Sequence, residues 1–474
     1  MKRREFLAMA GGLALAGCGG AGTGEDGPSG GQPGGSAGSG TQAAALPVIV
    51  IGAGIAGLAT ARQLVDAGKK VVVLEARNRL GGRIHTSSKW ADVPLDLGAT
   101  WIHGDGAANP LTGLAQKAAA RTTTTSFARD AAYDADGHVL TNAEQATMNR
   151  LRSEMRAAVT AFQESSSDVP LRDAIYRGVD YANKVPFEQR LTDHLINTTY
   201  EHEYSGPATE LSALNFDSDS RFNGDERLFL NGYSVLTNYL AKGLDVRLQQ
   251  IVREINYSNE TVTVSTSQGT VQGTAVVVTV PLGVLQSGAI QFSPALPTDK
   301  LNAINGLGMG TLNKCYLRFP TAFWDTAADW INYVPAATNR GEWAEWLSLT
   351  RVTGKPVLLG FNAADYGRSL EKLSDSEIVA RAMQTLRAMY GNAIPAPLDW
   401  QITRWMSDPF ARGAYSFNKT GAPAGARTTL AAPLSRRLYF AGEATDARYF
   451  QSVHGAYLSG LRAANEVLNQ KTTT

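Results

Sequence analysis

The chain has 474 residues, of which 43% are hydrophobic and 18% are charged, enough apolar sequence to bury a large core in two or three structural units. Lys and Arg total 44 against 43 Asp and Glu, and no basic run lies beyond the first residues, so the charge pattern excludes nucleic-acid binding. The composition is typical of a globular enzyme and excludes a filament or a disordered chain.

Residues 1–18 have the pattern of an export signal. They begin with a cationic segment that contains Arg3 and Arg4, continue with an apolar stretch shorter than the ~20 residues of a membrane helix, and end at Cys18. The arginine pair resembles a twin-arginine signal, and the sequence LAGC resembles a bacterial lipobox, in which the cysteine is lipidated. We expect a signal peptide, a flexible linker over residues 19–45, and export from a bacterial cytoplasm as a periplasmic or cell-surface lipoprotein that meets the membrane only through its lipid.

The chain after Cys18 has too few cysteines to form an internal disulfide. Cys315 is the single cysteine after Cys18, and no cluster of Cys and His has metal-ligand spacing. We therefore expect no metal site, and stability that comes from the core and from a bound cofactor.

The first elements predicted after the linker are a strand, a tight turn and a helix. The apolar run at residues 47–51 is followed by GAGIAG and then by a helical pattern. Gly52 permits the turn, Gly54 lets backbone amides approach a pyrophosphate, and Gly57 lets the helix pack on the strand. A second β-branched strand ends in Glu75, at the spacing of the carboxylate that binds ribose hydroxyls and excludes a 2′-phosphate. The pattern predicts a Rossmann-type dinucleotide site.

The segment after this acid, EARNRLGGR, adds a second glycine pair and three arginines that an NAD enzyme does not need. With it the chain resembles the flavin-containing amine oxidase family, and the resemblance continues to the end of the chain. The matching motifs, in order, are DLGATWIHG from Asp96, NPL from Asn109, TVPLGVLQ from Thr279, KCYLRF from Lys314, RWMSDPFARGAYSF from Arg404 and LYFAGEATDARYFQSVHGAYLSG from Leu438.

The resemblance implies an α/β fold in which two domains are interleaved, as in amine oxidases and p-hydroxybenzoate hydroxylase. A Rossmann-type FAD-binding domain would take residues 46–120, 225–300 and 400–470. An α+β substrate-binding domain would take residues 121–224 and 301–399.

FAD is the cofactor that the resemblance implies. Residues 98–101 would line the isoalloxazine, the Val252 backbone would meet the adenine, and Glu443 would hold the ribityl chain; an ordinary helix N-terminal acid is the alternative for Glu443. The full set of implied cofactor-binding residues is Gly52, Gly54, Ala56, Gly57, Glu75, Ala76, Arg77, Gly82, Arg83, Gly98, Ala99, Thr100, Trp101, Val252, Trp405, Gly442, Glu443 and Val453.

The attachment of FAD is predicted from one position. Monoamine oxidases of the family attach FAD through a cysteine directly before a tyrosine of the substrate cage. Here Ala414 precedes Tyr415, and Cys315 lies in a strand-like stretch. We therefore expect non-covalent FAD.

Three residues are implied to be catalytic. The resemblance assigns Lys314 to a water that bridges the amine and flavin N5; a strand-edge surface lysine is the alternative, although Leu312 and Tyr316 would share its face. Tyr415 matches one wall of the aromatic cage that steers an amine lone pair. His103 is placed to hydrogen-bond a secondary or distant amino group, and a structural histidine is the alternative.

Two further residues are implied to bind substrate. Ser452 stands where monoamine oxidases and plant polyamine oxidases carry a tyrosine, whereas animal spermine and N-acetylpolyamine oxidases combine a small hydroxyl residue there with a histidine matching His103. Polyamines are polycations, so their tunnel should contain carboxylates. Glu203 is the acid we select; a solvated surface acid is the alternative.

The main hypothesis is a polyamine oxidase whose partners are a small amine and O2. Hydride passes from the carbon next to the amine to flavin N5, the imine is hydrolysed to aldehyde plus amine, and O2 is reduced to H2O2. One alternative is an L-amino-acid or aromatic monoamine oxidase of the same family. Another is a non-catalytic flavin-binding lipoprotein, which the retained Lys314 disfavours.

Overall fold

A computed structural model of the chain describes residues 46–164 and 167–469. The predicted signal peptide, the linker and the lipidation site at Cys18 lie outside these residues and stay predictions. Within the described residues, no helix combines the length and the apolar character needed to span a membrane.

The sheet that begins with the predicted dinucleotide strand is parallel throughout. Its strands in the described chain, in spatial order, are Leu438–Phe440, Ala275–Val278, Val48–Ile51, Val71–Leu74 and Val246–Arg247. These strands are short and almost wholly apolar because both faces of a parallel sheet are covered. Strand order reverses at Val48–Ile51, since the next strand in sequence lies on one side and a much later strand on the other. This topological switch point is where open α/β sheets bind ligands.

Two helices cover one face of this sheet and pack tightly against each other. The helix Ile55–Asp66 follows the glycine turn, and Val453–Leu468 closes the described chain. A Cβ on Gly460 would lie 2.2 Å from the Ala56 carbonyl oxygen. The Thr60 hydroxyl also donates to the Gly460 carbonyl at 3.0 Å. The close contact ties the C-terminal helix to the dinucleotide turn.

The second large sheet carries the predicted lysine. Its strands in the described chain, in spatial order, are Asp399–Ile402, Leu312–Arg318, Val357–Ala363, Glu345–Ser348, Trp330–Tyr333 and Asp130–Tyr133. We call this the substrate sheet. The strand Asp399–Ile402 belongs to the substrate sheet, whereas the sequence predicted that residues 400–470 belong to the FAD-binding domain. The two sheets confirm the predicted Rossmann-type α/β fold with a second α+β part, and the domain boundaries stay predictions.

Smaller sheets and helices complete the described residues. The smaller sheets comprise Val252–Asn256 with Val262–Thr266, Gly269–Gly273 and Gln291–Ser293; Trp101–His103 with Glu226–Phe229 and Thr122–Thr124; Thr86–Ser87 with Leu95–Asp96; and Leu307–Met309 with Ser416–Asn418. The remaining helical segments are Pro110–Lys117, Asn142–Gln163, Leu171–Gly178, Tyr181–Asn183, Pro186–Ile196, Asn197–Glu201, His202–Tyr204, Ser234–Ala241, Leu282–Gln286, Thr298–Gly306, Ala337–Asn339, Thr350–Thr353, Ala364–Leu370, Asp375–Tyr390, Ala426–Ala431 and Glu443–Thr445.

Candidate active site

The three glycines of the dinucleotide turn have different physical roles. Gly52 has a φ of +105°, and a Cβ there would lie 2.6 Å from the Thr279 hydroxyl. A Cβ on Gly57 would lie 1.9 Å from the Gly52 carbonyl oxygen. Gly54 has an ordinary φ of −75°, and a Cβ there would meet only the Gly81 carbonyl, at 4.0 Å. The fold therefore requires Gly52 and Gly57, whereas Gly54 leaves open a surface on which a ligand can approach the backbone.

Glu75 lies beside this turn at the carboxyl end of its strand. Its side chain is buried and accepts hydrogen bonds from the Ala53 amide at 2.7 Å and the Arg77 amide at 2.9 Å. The backbone amides orient the carboxylate at the switch point, where a ribose would lie. The site thus has the acid that a dinucleotide needs.

The arginine-rich segment after Glu75 makes the neighbourhood positively charged. Burial, followed by the charge of Arg77, lowers the pKa of Arg79 to about 10. Burial, with the charges of Arg79 and Arg77, lowers the pKa of His85 to about 4. Arg77 itself forms a two-bond ion pair with Asp408, both at 2.8 Å. A pyrophosphate would relieve this crowding of positive charge, so the residues fit a dinucleotide phosphate group.

Glu443 is the central buried acid of the site. It is 4% exposed, and its carboxylate accepts hydrogen bonds from Arg83 at 2.9 Å, from the Ser416 hydroxyl at 2.7 Å and from the Gln451 amide at 2.9 Å. Burial by itself would raise the pKa of Glu443, but Arg83 and Arg427, with Ser416, hold that pKa below its usual value. Glu443 is therefore an ionised acceptor. It also begins the helical segment Glu443–Thr445, so its role toward the ribityl chain stays a prediction.

Arg427 is a site residue that the sequence did not reveal. It is buried, its guanidinium donates to the Ser416 hydroxyl at 2.8 Å, and it lies 3.9 Å from the centre of the Phe450 ring. Burial lowers its pKa to about 10, against the opposing charge of Glu443. No motif surrounds Arg427 in the sequence, so no sequence signal pointed to it. Arg83 and Arg427 thus place two positive charges near the buried carboxylate of Glu443.

A cleft lies at the carboxyl ends of two strands of the parallel sheet. The residues that line it include Arg83, Val278, Gly442 and Glu443. Gly442 has a φ of +121°, which favours glycine, and a Cβ there would have only the Thr279 carbonyl within 4 Å, at 3.9 Å. The cleft thus combines close access to the backbone with charged hydrogen-bonding groups.

The segment predicted to line the isoalloxazine is held against the arginine segment. A Cβ on Gly98 would lie 1.7 Å from the Arg83 carbonyl oxygen and 3.4 Å from the Trp405 ring. The Trp405 indole N–H donates to the Leu97 carbonyl at 3.2 Å. Only glycine fits at residue 98. Trp405 lies beside the segment, and its contact with the cofactor stays a prediction.

Lys314 is buried beneath the same segment. Its Nζ donates to the carbonyls of Asp96 at 2.7 Å and Gly98 at 2.6 Å, and it also bonds the Thr100 hydroxyl. Burial raises the pKa of the adjacent Asp96 carboxyl to about 6. The alternative of a surface lysine at a strand edge is therefore wrong. Lys314 holds the backbone that would face the flavin.

Aromatic rings form a wall beside this segment. Trp101 stacks on Trp330 with centroids 5.9 Å apart and lies 6.3 Å from Phe361. We call Trp101, Trp330 and Phe361 the aromatic wall. His103 stacks on Trp101 at 6.4 Å, and its Nδ1 is paired with the Glu226 carboxylate. The predicted histidine is thus beside the wall, and Glu226 is its partner across the strand pair.

Tyr415 is adjacent in sequence to Ser416, whose hydroxyl binds Glu443. Its hydroxyl donates to the backbone carbonyl of His202 at 2.6 Å. Its own carbonyl accepts from the Gly310 amide at 2.9 Å and from the Ser205 hydroxyl at 3.1 Å. The tyrosine is therefore rigidly placed between the cofactor cleft and the helical segment of His202.

The two predicted substrate residues are engaged within the protein. The Ser452 hydroxyl caps the C-terminal helix by accepting from the Gly455 amide at 2.9 Å, and it donates to the Tyr449 carbonyl at 2.6 Å. The preference of serine for N-caps could have indicated this role. Glu203 forms an ion pair with Arg221 at 2.7 Å. Their substrate roles stay predictions.

The remaining predicted cofactor residues surround the same turn. Gly82, with a φ of +57°, approaches the Gly54 Cα. Val252 is buried at the start of its strand, and Val453 begins the C-terminal helix. Ala56 lies in the helix Ile55–Asp66, and Ala76 lies in the arginine-rich segment after Glu75. Ala99 lies in the segment 98–101 that would line the isoalloxazine. Their individual contacts with the cofactor stay predictions.

Together, the switch-point glycine turn, the ribose acid and the cationic cleft define a dinucleotide-dependent oxidoreductase whose second sheet carries a buried lysine and an aromatic wall. The model of flavin-containing amine oxidoreductases matches residues 55–468. Polyamine oxidase 4 of Oryza sativa subsp. japonica is 37% identical over 439 residues, covering 88% of each chain. Polyamine oxidase 2 of Arabidopsis thaliana is 34% identical over 450 residues, covering 91% of this chain and 90% of that one.

Two other similarities extend this comparison. Lysine-specific histone demethylase 2 of Homo sapiens is 35% identical over 442 residues, and the match covers 89% of this chain but 53% of the demethylase. A solved structure of putrescine oxidase bound to putrescine superposes with a TM-score of 0.73 at 21% identity, covering 90% of this chain and 99% of that one, which supports the fold. The chain belongs to the family of flavin-containing amine oxidoreductases. Its cofactor is FAD, which accepts two electrons from an amine when it is bound.

Proposed function

We propose that the protein is a polyamine oxidase. The carbon next to a substrate nitrogen loses a hydride to the flavin, the nitrogen loses a proton, and water converts the imine to an aldehyde plus an amine. O2 takes the two electrons and two protons to give H2O2. The observation that carries the proposal is the similarity to two polyamine oxidases over almost the whole chain.

The arrangement of this chain's residues suits that chemistry. Trp101 stacks on Trp330 and lies beside Phe361, which gives the segment that would face the flavin an apolar backing suited to keeping water from a reacting carbon. The His103–Glu226 pair lies at its edge, where it can accept a hydrogen bond from a substrate amino group. Lys314 fixes the carbonyls of the flavin-lining segment and keeps a cation beneath it.

A peroxide assay with the purified protein tests the substrate class. We expect turnover with spermine, spermidine or N-acetylspermine at a kcat/KM well above that with tyramine, L-amino acids or a peptide bearing N-methyl-lysine. Preference for tyramine or an L-amino acid would replace the proposal by the monoamine or amino-acid oxidase. Oxidation of the methylated peptide alone would assign the activity for which the demethylase relative is named. Bound FAD with no peroxide from any amine would support the non-catalytic alternative.

We also propose that FAD is bound without a covalent bond. Ala414, which precedes Tyr415, has no side chain that can form a thioether, and its carbonyl accepts from Arg83 at 2.9 Å. Cys315 is fully buried, and burial raises the pKa of its thiol well above the usual range, which makes it unreactive. Acid precipitation should therefore release all the yellow colour into the supernatant. Flavin retained on the pellet would contradict the proposal.

Export as a lipoprotein remains part of the proposal, on the evidence of the leader motifs alone. Mass analysis of the protein recovered from membranes of an expressing bacterium should show a chain that begins at a lipidated Cys18. An intact chain confined to the cytoplasm would contradict export.

A further inference from the structure

One ion pair of the cofactor cleft holds the backbone on both sides of Tyr415, the predicted cage tyrosine. The Glu443 carboxylate accepts hydrogen bonds from the Ser416 amide at 3.2 Å and from the Ser416 hydroxyl at 2.7 Å. Arg83, which donates to Glu443 at 2.9 Å, also donates to the Ala414 carbonyl at 2.9 Å. The residue before the tyrosine and the residue after it are therefore bonded to the same two charged groups. Hydrogen bonds to charged groups are stronger than those between neutral groups, so the ion pair anchors this segment.

Arg427 sets the orientation of the Ser416 hydroxyl. Its Nη1 donates to the Ser416 Oγ at 2.8 Å. A guanidinium can only donate hydrogen bonds, so the hydroxyl must accept from Arg427 and give its one proton to Glu443. Both Ser416 and Arg427 are buried, where such bonds are stronger than in water. The hydrogen bonds therefore run in one direction, from guanidinium to hydroxyl to carboxylate.

The same guanidinium also bonds two neighbouring segments. Nε of Arg427 donates to the Asn418 side-chain oxygen at 3.0 Å, and Nη1 donates to the Ala444 carbonyl at 3.2 Å. Asn418 and Ser416 lie on one face of their strand, because side chains alternate along a strand. Arg427 therefore binds two side chains of the strand that follows the tyrosine, and it also binds the backbone next to Glu443.

Opposite charges keep both ends of this contact ionised. The positive charges of Arg83 and Arg427 hold the pKa of Glu443 below its usual value, although burial by itself would raise it. Burial lowers the pKa of Arg427 to about 10. Glu443, Asp219 and Asp446 oppose that shift. Both groups are therefore charged at neutral pH, and the hydroxyl between them bridges a cation and an anion.

Tyr415 is held while it stays partly exposed. Its carbonyl accepts from the Gly310 amide at 2.9 Å, and its hydroxyl donates to the His202 carbonyl at 2.6 Å. A ring that orients a substrate must keep its angle and distance to the cofactor, because the orientation of the reacting atoms contributes a large part of the rate. The contacts at residues 414 and 416 are the part of this support that comes from the cofactor cleft.

We propose that Arg427 and Ser416 are positioning residues that hold Tyr415 in a fixed place relative to the cofactor acid Glu443. Arg427 orients the Ser416 hydroxyl, and the hydroxyl and amide of Ser416 bind Glu443. The inference rests on the proposed polyamine oxidase function, in which Tyr415 forms one wall of the substrate cage. It gives a role in the reaction to an arginine that lies outside every motif of the sequence.

Rapid mixing of the oxidised, FAD-loaded enzyme with spermine in the absence of O2 tests these roles. The dependence of flavin reduction on spermine concentration separates the limiting rate from the apparent Kd. Ser416→Ala and Arg427→Met should each lower the limiting rate about ten- to a hundredfold, because the cage ring loses its angle to the cofactor. The apparent Kd should change less than the limiting rate, since neither substituted side chain would contact the amine. Arg427→Lys keeps one donor for Ser416 and should keep more of the rate than Arg427→Met.

A double-mutant cycle distinguishes positioning of the tyrosine from a general loss of structure. Tyr415→Ala removes the ring through which both residues would act. Ser416→Ala or Arg427→Met, added to Tyr415→Ala, should therefore lower the limiting rate no further. An undiminished further fall would show that the two residues act elsewhere and would overturn the inference. Wild-type limiting rates in the single variants would overturn it as well.

Ser212→Ala is the matched control. Ser212 is 1% exposed, and its hydroxyl donates to the Asp168 carboxylate at 3.0 Å and accepts from the Asn215 amide at 3.0 Å. Its own amide donates to the Asn418 carbonyl at 3.0 Å, so it lies beside the same strand. The variant loses the same kind of buried hydroxyl, with a different carboxylate as its acceptor, and should keep the wild-type limiting rate. A fall as large as that of Ser416→Ala would assign the effect to a weakened strand and would contradict the inference.

Hydrogen exchange in the FAD-loaded protein tests the placement of Tyr415 without any substrate. The Gly310 amide donates to the Tyr415 carbonyl, so its exchange reports whether that residue stays in place. Ser416→Ala should make the Gly310 amide exchange about two- to tenfold faster, as expected for the loss of one hydrogen bond. Ser212→Ala should leave that exchange unchanged. Unchanged exchange in Ser416→Ala overturns the inference.

Failure of the proposed function is visible separately, because it concerns the wild type alone. If the wild type oxidises no polyamine while exchange at Gly310 rises as expected, the proposed function fails and the placement of Tyr415 by Ser416 stands. If Arg427→Met does not fold or does not load FAD, Ser416→Ala decides the question in both experiments.

Discussion

Replacement of Gly54 by alanine should separate cofactor binding from folding at the dinucleotide turn. Gly54 has an extended backbone conformation that alanine adopts without strain, and its added Cβ would have only the Gly81 carbonyl, at 4.0 Å, as a neighbour. Gly57→Ala is the matched control, because its Cβ would lie 1.9 Å from the Gly52 carbonyl oxygen. One methyl group enters ligand space, and the other enters the packed backbone.

The magnitudes follow from these distances. In the apoprotein, Gly54→Ala gains about 0.4–1 kcal/mol from the restricted unfolded chain. It loses about 0.5–1 kcal/mol because alanine is a poorer N-cap than glycine. The free energy of unfolding should therefore change by less than about 1 kcal/mol. A methyl group against the pyrophosphate should cost about 1–3 kcal/mol of FAD binding, or roughly 5- to 150-fold in Kd. Gly57→Ala should instead destabilise the apoprotein itself.

The assay combines FAD titration of the apoprotein with thermal melting at several FAD concentrations, since bound ligand stabilises the native state by RT ln(1 + [FAD]/Kd). Gly54→Ala should melt like the wild type without FAD and show a smaller stabilisation by FAD. A wild-type Kd for FAD in Gly54→Ala would show that the cofactor does not pass over residue 54. Wild-type stability in Gly57→Ala would equally contradict the close contact of residue 57 with the backbone.

Three further outcomes are expected. Lys314→Met should slow reoxidation of the reduced flavin by O2, measured by stopped flow, and unchanged reoxidation would remove Lys314 from the site. Burial, with the charges of His103 and Arg221, lowers the pKa of His454 from 6.5 to about 3, so below pH 6.5 the unfolded chain takes up a proton that the native state does not. Because of His454, the free energy of unfolding should fall by about 2 kcal/mol between about pH 7 and about pH 5. Denaturant unfolding should show that this fall is absent in His454→Gln. Because Arg221 already pairs with Glu203, Glu203→Gln should change the spermine KM little, and a large rise would restore Glu203 as the substrate acid.

The parts of the site that the sequence predicted correctly depend on local chemistry. A turn at Gly52, a strand end at Glu75 and a helix packed at Gly57 are defined by residues a few positions apart, so spacing alone reveals them. Lys314 was predicted to be buried because Leu312 and Tyr316 share its strand face by alternation, and the fold places all three on one strand.

The parts that the sequence could not predict are pairings between distant residues. Glu203 and Ser452 have suitable chemistry for a substrate site, but Arg221 and the end of the C-terminal helix engage them. Arg427 stands in a segment without a motif, yet its charge lowers the pKa of the buried Glu443, and both residues bond the Ser416 hydroxyl. A sequence shows which groups carry charge and not which opposite charge neutralises them.

By itself, then, the sequence determined the cofactor class, the Rossmann-type strand, turn and helix, and the buried lysine. Only the tertiary structure decided which groups each of the acids meets. His202 and Glu345 lie 143 residues apart in the chain, and the fold brings their side chains within 3.2 Å of each other. The physical reason is that burial and charge pairing are set by all the groups around a side chain, and these come from several distant segments.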